Sequence, residues 1–393
     1  MLKNITWTVS ARYVAQGLAV ASNILLARYL GVDGFGEYAL ASSVLLIGNA
    51  FTNFGMDMIL IRRLASENET SLLADGLWLQ LSLSALYIAA VFLFGFFVPV
   101  PDSLKIYILT LLPLSFYSIF TIKVRAHQQM GIFSIFQVLT AFLQLLAVLF
   151  LWLLRGDVKT FVVTLFIAQT LVASWGFTYH VSRFTLWHFS FQRSMSLLKD
   201  SARMAVIGTL RLVYEKITII LLPSLAGLSM TGIFSAASRV MDSGKLGHFS
   251  AFTAMYPEMA RDADFGKQLK GLRPLLGAAF LISILLFFFA EPIIRFLFGI
   301  EFLPAIFPLK ILTWVVVPYV LVTYASLGLI ALGFEKPILT SLLFALAALL
   351  ALIAAFTPRF GLAGSATAVL FAELLHAALL WRQWRMHVLS KFP

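Results

Sequence analysis

Arg211 and Glu215 stand four residues apart, with Lys216 beside them, in a run that is otherwise mostly apolar. A little further on, Thr231, Ser235, Ser238, Arg239, Asp242 and Lys245 fall within an arc of about 120° if the segment is helical. Near the N-terminus Arg12, Gln16 and Asn23 form one helical stripe, and Ser42, Asn49 and Asn53 form another that leads to Asp57. Guanidinium and ammonium groups bind phosphates and carboxylates through charge-assisted hydrogen bonds. Arg12, Arg211, Lys216, Arg239 and Lys245, set against Asp57, Glu215 and Asp242, make a net basic set suited to an anionic ligand. Structural roles stand beside this one. Arg12 is close enough to a helix end to snorkel, Arg211 and Glu215 match an i, i+4 helix pair, and Asp242 is placed to neutralise Arg239 and Lys245.

Signals for catalysis are scarce. Asp262-Ala-Asp264 has the D-x-D form that holds a metal–nucleotide complex in some glycosyltransferases, but a single such tripeptide in a charged loop is weak. There is no G-x-x-x-x-G-K-[ST] phosphate loop, no H-E-x-x-H zinc motif and no Cys, so nucleotide hydrolysis by a P-loop, thiolate metal sites and disulfides are excluded. The six His are scattered; Glu373 and His376 form an i, i+3 pair suited to a proton relay or to an interhelical hydrogen bond. No metal site, cofactor or catalytic residue is expected.

These side chains must be positioned by membrane helices. Of 393 residues, 61% are hydrophobic and 12% charged, with 37 Phe, far from the balance of a water-soluble domain. Apolar windows near 5–27, 37–61, 73–98, 104–122, 132–154, 160–182, 201–224, 230–256, 272–293, 308–332, 337–357 and 362–381 predict an all-α, polytopic protein with twelve transmembrane helices. The seventh and eighth windows carry enough charge to escape a hydropathy scan. With a cytoplasmic N-terminus the inner segments hold 17 Lys and Arg and the outer ones 7, which places both termini in the cytoplasm. The net charge of +11 is accordingly an orientation signal and does not point to nucleic acid.

The segment Gly31-Val-Asp-Gly-Phe-Gly36-Glu-Tyr38-Ala39-Leu-Ala41-Ser42 aligns without gaps on Gly227-Leu-Ser-Met-Thr-Gly232-Ile-Phe234-Ser235-Ala-Ala237-Ser238. Each copy sits at the turn between the first and second helices of a six-helix set; Gly156 and Gly361 give a weaker echo before the sixth. The repeat divides the chain into halves at 1–182 and 201–393, joined by a cytoplasmic linker at 183–200 whose Phe184–Arg193 stretch mixes aromatic and basic residues, as a membrane-surface segment or a plain linker would. An even number of helices per half gives the halves one orientation. The ionisable residues concentrate on helices 1, 2, 7 and 8, so those helices are expected to surround a central wet cavity between the halves, with Asn53, Asp57, Glu215 and Asp242 as its supporting polar groups.

The stretch Ala27-Arg28-Tyr-Leu30-Gly31-Val-Asp-Gly34-Phe-Gly36-Glu-Tyr38-Ala39 resembles the L-A-R-x-L-G-x-x-x-F-G-x-Y signature of the bacterial polysaccharide-biosynthesis flippases, members of the multidrug/oligosaccharidyl-lipid/polysaccharide exporter superfamily. The run from Tyr214-Glu215-Lys216 to Gly232-Ile-Phe234-Ser235-Ala236-Ala237-Ser238-Arg239 is similar to that family's seventh-to-eighth helix region, with Phe234 in place of the usual Tyr. Twelve helices, without two further C-terminal ones, resemble the O-antigen type. The resemblance implies alternating access for a lipid-diphosphate-linked oligosaccharide in a bacterial inner membrane, with a proton or sodium ion as the candidate coupling partner. Two other readings are weighed against it: a multidrug cation antiporter of the same fold, which would need an acid-dominated cavity, and a membrane glycosyltransferase or polymerase, which would need a larger carboxylate-rich loop than any here.

Overall fold

A computed structural model of the chain describes residues 2–67, 71–181, 189–261 and 265–391, and no strand occurs among them. The helices are α1 (Leu2–Asn53), α2 (Met56–Glu67), α3 (Ser71–Phe94), α4 (Asp102–Ile108), α5 (Leu111–Ala126), α6 (Met130–Leu154), α7 (Val158–His180), α8 (Phe191–Ala226), α9 (Leu228–Arg261), α10 (Phe265–Phe288), α11 (Ala290–Leu297), α12 (Ile306–Leu312), α13 (Val316–Ala331) and α14 (Lys336–Lys391). Short 3-10 turns at Ile300–Ala305 and Thr313–Val315 bracket α12.

Eight stretches among the described residues are long and apolar enough to cross a membrane. Two of them, Trp7–Ser66 with 60 residues and Lys336–His387 with 52, are more than twice the ~20 residues that span a hydrocarbon core. Each is broken by a left-handed glycine, Gly31 (φ 66°) and Gly361 (φ 56°), and so makes two crossings. α8 and α9, which coincide with the charged seventh and eighth windows, are 36 and 34 residues long and are not in the apolar set. Leu86, Leu153, Leu171, Tyr179 and Phe344 project from the spans unburied, and surface of this kind is stable in hydrocarbon rather than water.

The repeat read in the sequence has a structural counterpart. Gly31 and Gly227 (φ 89°) both adopt positive φ, a conformation costly for any residue with a Cβ, and each turns the chain from one long helix into the next. The residues that follow are buried in matching order, Tyr38 with Phe234, Ala39 with Ser235, Ala41 with Ala237. The weaker echo does not share a backbone: Gly361 is left-handed, whereas beside Gly156 it is Arg155 (φ 50°) that takes this conformation.

The chain divides into two compact units, residues 1–216 and 217–393. In the first, α1 packs against α6 and α4, and α5 against α3 and α7. Met56, Leu60 and Leu64, one face of α2, meet Leu73, Leu77, Ile119, Phe120 and Phe136 in its core. In the second, α13 is the central helix, packed by α9, α10 and α14; fully buried Tyr324 and Trp384 meet there with ring centroids 6.0 Å apart. The boundary falls inside α8 and not in the expected linker. Residues 191–200, expected as linker, are the first ten of α8, because Ser194, Leu197 and Ser201 form a buried stripe on the first unit. The stretch 257–271, between the eighth and ninth apolar windows, is likewise mostly helix among the described residues, since α9 runs to Arg261 and α10 starts at Phe265. Asp262-Ala-Asp264 and residues 184–188 of the aromatic–basic stretch lie outside the described residues.

Candidate functional site

In the first unit Arg12 is exposed on α1. Asn53 closes α1 with a buried Oδ1 that accepts no hydrogen bond. Phe54 and Gly55, both with positive φ, separate it from α2. Asp57, in the first turn of α2, accepts from Arg125 Nη1 (3.3 Å) and Ser118 Oγ (3.3 Å) on α5, and Ser118 in turn accepts from Gln80 Nε2 on α3 (3.1 Å). The Arg125 guanidinium also lies 5.6 Å from the Phe133 ring centroid. Asp57 is therefore a tie among α2, α3 and α5 inside one unit, its charge matched by Arg125, a residue that the sequence places in a cytoplasmic segment. As a supporting group it holds α2 in place and adds no net negative charge.

A second acid escaped the sequence reading. The Asp75 side chain in α3 has no solvent exposure, and its carboxylate accepts from the backbone N–H of Ser190 (2.7 Å) and from Arg193 Nε (2.6 Å). Arg63 pairs with Asp200 one step along. Gly55 permits a close approach, since a Cβ there would lie 3.2 Å from the Ala205 nitrogen. These contacts fasten the N-terminal part of α8 to α2 and α3, which is why it belongs to the first unit. The signal available in the sequence was a single carboxylate in an otherwise apolar window.

On α8, Arg211 Nε donates to Glu215 Oε1 at 3.2 Å, with both side chains over a third exposed; Lys216 is half-buried on the neighbouring face. On α9, Arg239 Nε approaches Ser235 Oγ (3.5 Å), and Lys245 Nζ donates to Asp242 Oδ1 (3.1 Å) while lying 5.0 Å from the ring centroid of Tyr319 on α13. The polar arc of α9 thus has two parts. Thr231, Ser235 and Ser238 are buried, where small hydroxylated side chains let helices pack closely and do not form a wet wall. Arg239, Asp242 and Lys245, further along, are only partly covered. Glu373 and His376 are both buried in α14. Among the described residues no group of His, Asp or Glu is arranged to hold a metal ion.

The fold is similar to that of solved transporters of the MOP superfamily. A multidrug resistance MATE family transporter of that superfamily, in an inward-facing conformation, superposes with a TM-score of 0.75 at 15% identity over 98% of both chains. The lipid II flippase MurJ, inward closed, gives 0.76 at 16% identity over 96% of this chain and 87% of that one. A MOP superfamily transporter from Pyrococcus furiosus, described as having a binding pocket of reversed polarity, gives 0.70 at 15% identity over 98% and 94%. At such identities the likeness is one of fold. Residues 1–262 match the polysaccharide biosynthesis protein family, and the chain belongs to that family. No curated protein matches it.

Proposed function

We propose that the chain is a secondary transporter that flips a lipid-diphosphate-linked oligosaccharide across the bacterial cytoplasmic membrane for surface polysaccharide synthesis, with both termini cytoplasmic. The observation that carries this reading is the presence of Arg211, Lys216, Arg239 and Lys245 on the long helices α8 and α9. Each charge costs about 2.5–3.5 kcal/mol at the centre of a membrane helix on insertion scales. A role in binding an anion offsets that cost. With Asp57 matched by Arg125, the proposed binding set has five cations, Arg12 included, and two acids, Glu215 and Asp242, a balance that suits a diphosphate. A ligand shifts an equilibrium between two conformations only through its differential affinity for them. Binding of the diphosphate draws together cations that otherwise repel, favouring the conformation that closes around it, and release on the far side reopens the chain. The step needs no nucleotide and no catalytic group; a proton or sodium gradient drives it.

The fold is similar to that of multidrug transporters, so export of organic cations is the second reading, and the net basic balance of the proposed binding residues disfavours it. Deletion of the chain from a bacterium that carries it should abolish the surface polysaccharide and leave the lipid-diphosphate glycan accumulating in the inner leaflet, measured by surface labelling and lipid extraction. An unchanged surface glycan, or its loss without accumulation of the lipid-linked precursor, would contradict the proposal.

A further inference from the structure

We infer that a neutral pocket inside the first unit is a sugar subsite. The cavity, of about 170 Å³, lies among α1, α4, α5, α6 and α7. Its polar lining is Tyr107, Thr110, Thr140, Gln144 and Gln169; leucines, Ala168 and Val172 complete the wall. Two atoms of that lining are buried without any hydrogen-bond partner, Thr110 Oγ1 and Gln169 Nε2, and Thr110 is only 3% exposed. Thr140 is already satisfied by the Phe136 carbonyl (2.8 Å). Leaving buried polar groups unpaired is unfavourable, and in a membrane helix an amide has few alternatives. An occupant that pairs with them must accept from Gln169 Nε2 and exchange a hydrogen bond with Thr110.

Among the described residues no Asp, Glu, Lys, Arg or His lines the cavity, so none of them there compensates an ionic ligand. Mixed donors and acceptors interleaved with apolar wall, Tyr107 among them, match a single pyranose: its hydroxyls both donate and accept, and its C–H face packs on aliphatic and aromatic groups. The volume admits one sugar ring and excludes an oligosaccharide. As a recognition site for cargo, this inference rests on the proposed glycan flipping. A pocket built to hydrogen-bond hydroxyls discriminates strongly against a cargo lacking them, because its polar groups are then left unpaired.

The test compares proteoliposomes of the wild type, Thr110→Val and Gln169→Leu, offered a polyprenyl diphosphate bearing the native glycan and the same polyprenyl diphosphate without sugar. The wild type should favour the glycosylated cargo, and each variant should reduce that preference about tenfold. A merely structural role would slow both cargoes alike, and an unchanged preference would overturn the inference. Binding of methyl pyranosides (glucose, galactose, mannose and N-acetylglucosamine) to the purified proteins, read by thermal stabilisation, separates this failure from that of the proposed function. Should the wild type move neither cargo, the flippase reading fails, while stabilisation of the wild type but not of the variants would still support the subsite. Stabilisation of neither means that the pocket holds water only and overturns it.

Discussion

Replacing Arg193 by alanine should destabilise the protein by about 3 kcal/mol, because it strips the main charge partner from a carboxylate that has no access to solvent. Asp75 would keep the Ser190 N–H bond, which cannot offset the loss of a guanidinium at 2.6 Å. Removing both members is milder: the double variant Asp75→Leu, Arg193→Met should melt at a higher temperature than Arg193→Ala alone, since an apolar pair replaces a buried ion pair at little net cost. Scanning fluorimetry of the purified variants in detergent checks this. Equal melting temperatures for wild type and Arg193→Ala would mean that the N-terminal part of α8 is held by Leu197 and its apolar neighbours rather than by the ion pair.

The second large effect is on transport. Arg211→Ala removes an exposed i, i+4 pair with Glu215, which contributes only about 0.3–0.5 kcal/mol to the helix, so the fold should survive. If the same guanidinium binds a diphosphate, its loss costs about 1.5–3 kcal/mol, a ten- to hundredfold fall in affinity for the lipid-linked cargo. Arg239→Ala should lower transport in the same way if Arg239, partly covered on α9, also binds the diphosphate. Glycan export at wild-type rate in both variants, with protein present in the membrane, would assign these arginines to helix structure.

Much of the fold was legible because it depends on patterns that the membrane enforces. Gly31 and Gly227 are readable as a repeat since both must adopt a backbone that only glycine takes at low cost, and α8 and α9 were readable as helices despite Arg211, Lys216, Arg239 and Lys245. The bounds of α8 were less so. Phe184–Arg193 looks like linker chemistry, and nothing local announces that Arg193 finds Asp75, 118 residues away. The candidate site was legible as a list of charges on two kinds of helix, but not as partnerships: Asp57 turns toward Arg125 on another span, and the hydroxyls of the α9 arc pack inward. Gln144 and Gln169 were passed over because amides are uncharged and a survey of ionisable residues does not count them, although a polar cavity within a bundle needs no charge at all.

The central claim is the sign of the cargo. In proteoliposomes containing only the purified chain, loaded with both a fluorescent polyprenyl-diphosphate glycan and a fluorescent organic cation, the transbilayer rate of each is measured in the same vesicles. The account predicts that the diphosphate glycan crosses faster than in empty vesicles while the cation stays where it was placed. Extrusion of the cation with no movement of the glycan would contradict it and identify the chain as a drug antiporter.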